Sequence, residues 1–189
     1  MGRDFFCFDH ERIPVNMNPI IWMLIETVGS LLASACMLRA YAWRVHLNPN
    51  NPLSQFVNAL TDWLVKPLSK LLSPSRNMNW PALLAGVLVA LLVTMAYFLL
   101  SGIPPDAGPV LLRTLIYLVR WTLYLLIGIL ILMAIISLIN PYAPLAPAFN
   151  QLADPILAPI RKVLPLVGNF DLSPLVAIIV IQILLAIIR

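Results

Sequence analysis

Three polar side chains stand inside long apolar runs: Glu26, Arg120 and Gln182. An ionised group at the centre of a bilayer costs about 2.5 kcal/mol or more, so such residues are paired or mark an ion, proton or substrate site. Only 12 residues separate Glu26 from Arg39, so Glu26 cannot leave the apolar layer at one end without drawing Arg39 in. Arg120 is its natural partner, because the first and third apolar runs start from the same side. The chemistry open to this set is proton- or ion-coupled transfer. The plainer alternative is an arginine that snorkels to the interface beside Trp121 and a glutamate held neutral or paired. Gln182 fits an interhelical hydrogen bond.

A second polar set is basic: Lys66 and Lys70, with Arg76, and the pair Arg161-Lys162. Beside a membrane these residues serve either anionic headgroups and docking partners or simple retention of their loops on one side. His10 and His46 form no ligand set, and Cys7-Phe-Asp-His10 lacks the second cysteine of a haem-attachment run. Cys7 and Cys36 make no disulfide framework. There is no phosphate loop, no nucleophile elbow and no Ser/His/Asp set within reach of water. The expectation is therefore a chain without catalytic residues, cofactor or metal, and without a nucleic-acid partner.

These side chains must be positioned by elements that live in lipid. Of 189 residues, 61% are hydrophobic and 11% charged, and the mean hydropathy is +0.91. That is too little charge to cover a water-soluble surface. Four apolar runs read as spanning helices, at about 20–41, 82–100, 115–139 and 173–188. Residues 1–18 read as an N-terminal extension without a cleavable signal. Gly29, Ser30, Ala33 and Ser34 form small-xxx-small pairs for close helix approach. Between the first two runs, residues 53–72 place Leu53, Phe56, Val57, Leu60, Leu64, Leu68, Leu71 and Leu72 at steps of three and four. That spacing predicts an amphipathic helix in the interface plane, kinked or divided at Pro67.

Sliding the chain by 92 positions lays Asn48–Leu72 on Asn140–Leu164, and ten of those 25 positions are identical. Asn48, Pro49, Pro52, Asp62 and Pro67 fall on Asn140, Pro141, Pro144, Asp154 and Pro159; Lys70 falls on Lys162. Residues 19–101 and 111–189 thus read as two repeats, with the second amphipathic helix at 145–164. Asp171 or Ser173 should cap the last helix, with Pro174 in its first turn. The predicted fold is an all-α integral membrane protein of four transmembrane helices in two parallel repeats, each with an interfacial, proline-kinked amphipathic helix between its spans. Arg44, Lys66, Lys70, Arg76, Arg161 and Lys162 share one face, against Arg3, Arg12, Arg113 and Arg189 on the other. The positive-inside rule then puts the amphipathic segments in the cytoplasm and both termini outside.

The second repeat resembles the YggT family of small integral membrane proteins. The resemblance is carried by Asn140-Pro141, Pro144-Leu145, Asp154-Pro155, Leu157, Pro159-Ile160-Arg161-Lys162, Pro165, Gly168 and Asp171-Leu172-Ser173-Pro174. The first repeat keeps Asn48-Pro49, Pro52-Leu53, Asp62, Pro67 and Lys70, but has Trp63, Ser69 and Ser73 where the second has Pro155, Arg161 and Pro165. The resemblance implies a bacterial inner-membrane protein with two such repeats. It also implies association with cell division, nucleoid distribution or osmotic tolerance, and, through plastid relatives, with haem attachment to a cytochrome. It carries over no catalytic residues. Three functional expectations follow. The first is a scaffold or assembly factor touching anionic lipid and other membrane proteins. The second is a small oligomeric transporter or channel using Glu26, Arg120 and Gln182. The third is a cytochrome assembly factor.

Overall fold

Asparagine and proline together start the first three helices. Asn18, Asn51 and Asn79 each accept a hydrogen bond through the side-chain oxygen, from the backbone N–H of Ile20, Leu53 and Ala82. Pro19, Pro52 and Pro81 then occupy the first turn, where no donor is missed. The computed structural model describes residues 18–140, 142–162 and 172–188. The N-terminal extension up to residue 17, Pro141, Asp171 and the end of the expected 145–164 helix lie outside the described residues.

Among the described residues six helices follow in chain order: α1 Pro19–Arg44, α2 Pro52–Ser69, α3 Trp80–Ser101, α4 Ala107–Ile139, α5 Ala146–Arg161 and α6 Ser173–Ile187. No strand occurs among the described residues. The protein is all-α, and α1, α3 and α4 are long and apolar enough to cross a membrane. The fourth apolar helix is shorter. With 15 residues, α6 is about 22 Å long, against an apolar layer of about 30 Å. Conversely, α4 has 33 residues and is about 50 Å long. It begins eight residues before the expected 115, with Asp106 at the N-cap and Pro109 in the first turn.

Two local expectations are corrected. Pro67 does not divide α2, which runs through it to Ser69. The missing N–H sits in the last turn, so the proline ends the helix soon after rather than breaking it. Ser173 is the first residue of α6 and not its cap; the N-cap position is Leu172, with Pro174 in the first turn.

Among the described residues, α1 and α3 share the most extensive packing. Gly29, Ala33, Cys36 and Ala40 of α1 are buried, as are Ala82, Ala85, Gly86, Val89, Ala90 and Val93 of α3. Of the predicted small-residue pairs, Gly29 and Ala33 are buried, while Ser30 and Ser34 stay half-buried. A second cluster, built on Leu130, Met133, Phe149, Leu152, Leu157 and Ile181, joins α4, α5 and α6. A methyl group on Gly29 would meet Cγ2 of Val93, whose β-branched side chain cannot turn away, whereas one on Gly86 would meet the mobile end of Met37. Gly128 has open space. Gly29→Ala should therefore destabilise the protein by about 1–3 kcal/mol through overpacking. Gly86→Ala should cost less and Gly128→Ala nothing, an order that thermal unfolding followed by tryptophan fluorescence will check.

Candidate functional site at the membrane interface

The half-buried charge of Arg39 on α1 is spent on holding α2. Arg39 Nη1 donates to Thr61 Oγ1 at 2.9 Å and to Asp62 Oδ1 at 2.8 Å. Thr61, fully buried, donates in turn to the Val57 carbonyl. The other carboxylate oxygen of Asp62 receives Lys66 Nζ at 2.8 Å, one helical turn on. The Lys66 hydrogen bond, then that of Arg39, holds the Asp62 carboxyl below its ordinary value of 3.8, against the opposing effect of partial burial. Beside this lock the end of α1, the Leu47–Pro49 turn, α2 and Asn79 enclose a crevice of about 120 Å³, with Arg39, Trp43, Ser54 and Asn58 in its wall. Trp43 Nε1 donates to the Ser75 carbonyl and ties down the loop before α3.

The Asn-Pro motif makes the same turn twice. Asn48 Oδ1 accepts from the N–H of Asn50 at 2.9 Å, and Asn140 Oδ1 from that of Tyr142 at 3.0 Å. Their carbonyls accept from Asn51 and Ala143, both at 3.1 Å. Such side-chain-to-backbone turns are what asparagine supplies. Pro52 opens α2, while Pro144 stands in the turn before α5; Pro155 and Pro159 lie within α5 with outward faces. Lys70 and Lys162 each occupy a helix C-cap, where a cation complements the helix dipole. Lys66, Lys70, Arg161 and Lys162 are all exposed.

The two amphipathic helices are held differently. Asp154 is paired with Arg161 of its own helix at 3.1 Å, and Ile131 stands where Arg39 would be in the second half. Instead, α5 is fastened to the first half. Tyr41 Oη donates to the Leu152 carbonyl at 2.8 Å, and Gln151 Nε2 to the Val45 carbonyl at 2.9 Å. Gln151 thereby caps the carbonyl end of α1. That end closes in a Schellman motif, with Leu47 N–H on Ala42 O and His46 N–H on Trp43 O. His46 takes the left-handed position at φ 57°, a backbone role that its imidazole chemistry did not foretell.

The set Glu26, Arg120 and Gln182 is not brought together by hydrogen bonds. Among the described residues no ion pair joins Glu26 to Arg120, and Arg120 Nη1 is buried without a partner. Glu26 lies within electrostatic reach of the Tyr117 phenol. Tyr117 stacks on Trp121 at 5.1 Å between ring centroids and accepts from Arg113 Nη2 at 2.9 Å. The Arg113 guanidinium lies 3.4 Å over the Tyr97 ring, a cation–π contact. Gln182 is exposed on α6. Sequence reasoning missed Arg39, Gln151 and Arg113 as organising residues. Arg39 carried a signal, since an arginine inside an apolar run calls for an acceptor, and Asp62 lay on the nearest amphipathic helix.

Because the Asp62 carboxyl is depressed in the folded protein, its contribution to stability is full above the unfolded carboxyl's value and is lost as pH falls through the folded one. Asp62→Asn should cost about 1–2 kcal/mol at neutral pH. Its difference from the parent protein should shrink as pH drops below 3.8, as read by unfolding in detergent. Arg39→Ala should destabilise at both ends of that range.

The family model described as CCB3/YggT matches residues 17–101 and again 112–189. The chain is similar to the Escherichia coli (strain K12) protein YggT, 29% identical over 173 residues covering 89% of this chain and 88% of the relative. It is likewise similar to a Pseudomonas aeruginosa protein, 28% identical over 176 residues covering 90% and 88%. A Haemophilus influenzae protein is 29% identical over 160 residues covering 84% and 86%. No solved structure matches.

Proposed function

The chain belongs to the CCB3/YggT family, and from that premise we propose that it is a non-enzymatic membrane scaffold or assembly factor. In this reading α1, α3, α4 and α6 are four spans in two parallel repeats. The amphipathic α2 and α5 lie in the interface on the cytoplasmic side of a bacterial inner membrane, with both termini outside. Their basic residues Lys66, Lys70, Arg161 and Lys162 contact anionic headgroups and neighbouring membrane proteins of the envelope or division machinery. The observation that carries the reading is the Arg39–Asp62–Lys66 lock. A charge within a spanning helix is used to fix an amphipathic helix with its lysines outward, which is a device for presenting a surface.

One observation favours a second reading. Arg120 Nη1 is buried with no acceptor, next to a helix that carries Glu26. A small ion- or osmolyte-related transporter or channel would use this pair.

Photo-crosslinking in cells from Asn150, Asp154 and Ala158, all exposed, should capture specific membrane proteins. Reversal of Lys66, Lys70, Arg161 and Lys162 to Glu should abolish both the crosslinks and rescue of a deletion strain, while Glu26→Ala leaves both intact. The opposite pattern, rescue lost with Glu26→Ala and kept after charge reversal, would replace the scaffold with the transporter.

A further inference from the structure

Gln182 lies nine residues into α6 from Ser173, about 14 Å along the helix axis. Its neighbour Ile181 packs in one cluster with Ile129, Leu130 and Met133 of α4. Leu130 is ten residues from the Asn140 turn, or about 15 Å. Both rulers start from the amphipathic end, and both put Gln182 near the middle of an apolar layer about 30 Å thick. Yet the side chain is exposed and has no hydrogen-bond partner among the described residues. A primary amide holds two donors and an acceptor, and hydrocarbon satisfies none of them. The helix is also too short for the layer, a mismatch that association relieves.

We propose that α6 is the surface on which a second copy of this chain docks, with the two Gln182 amides hydrogen-bonded to each other across a two-fold axis along the membrane normal. The amide is its own complement, donor to acceptor and acceptor to donor, as a two-fold interface requires. A second copy in the same orientation presents the matching group at the same depth. Among the described residues the other outward faces near this depth carry apolar side chains such as Leu92, Ile131 and Ile135, so α6 itself is the match. Ala186, one turn on and exposed, lets the two backbones approach, while Leu175, Ile179 and Ile183 flank the pair.

The proposal rests on α6 being a span, and the experiment separates the two. The probe is Gln182→Cys in a background with Cys7→Ser and Cys36→Ala, oxidised with copper phenanthroline in membranes; Leu92→Cys is the control. A disulfide-linked dimer from Gln182→Cys and none from Leu92→Cys is the expected result. Gln182→Leu, a change at an exposed position, should keep the helical circular dichroism and raise the dimer dissociation constant about threefold to tenfold in liposome photobleaching. A Gln182→Cys thiol that reacts with a membrane-impermeant maleimide would place α6 outside the bilayer and remove the span. An unreactive thiol with no self-crosslink, or with a crosslink only to a different protein, would overturn the pairing and leave the span standing.

Discussion

An arginine inside an apolar helix is the constraint from which the amphipathic end of this protein is built. Arg39 stands five positions before the end of α1, about 8 Å inward along the axis. A guanidinium there must find an acceptor, since burying it alone is far more costly than ordering a helix around it. Asp62 is that acceptor, and Asp62 belongs to α2. Satisfying one charge therefore lays a whole amphipathic helix against the bundle. Thr61 accepts a second guanidinium hydrogen bond, and Lys66 takes the free carboxylate oxygen and remains outside. The crevice beside Arg39 and the outward lysines follow from the same pair.

The two halves begin alike and are then used differently. The same asparagine turn precedes α2 and α5. However, Phe56 and Leu60 are exposed on α2, whereas Ala148 and Leu152, 92 positions later, are buried on α5. The reason is the contact between halves. Tyr41 and the carbonyl end of α1 receive Leu152 and Gln151, and among the described residues nothing equivalent covers Phe56. At this end of the bundle α5 acts as internal cement, while α2 keeps an apolar face for the surroundings. At the other end Arg113 lies over the rings of Tyr97 and Tyr117, which in turn contact Trp22 and Trp121. Such amphipathic rings suit the depth where hydrocarbon gives way to headgroups.

The helical class, the apolar runs and the amphipathic spacing were legible from residue order alone, because each depends on local periodicity and on lipid as the solvent. So was the family, whose proline- and asparagine-rich motif is dense enough to be read directly. That α2 runs undivided through Pro67 was not. A lost hydrogen bond matters by its distance from the helix end, and Pro67 stands in the last turn.

What the chain order determined is therefore the inventory: which segments are helices, which of them are apolar, and where their asparagine and proline starts lie. These are short-range properties of neighbouring residues. What the tertiary structure alone decided is who satisfies whom. Arg39 meets Asp62, Glu26 and Arg120 form no ion pair among the described residues, Gln151 caps a helix more than a hundred positions away, and Gln182 is left facing outward. Partners for polar groups in an apolar medium are chosen by which helix faces come together. Those faces meet through small-residue packing such as Gly29 against Val93; spacing within α1 marks the small residues but not the helix that meets them.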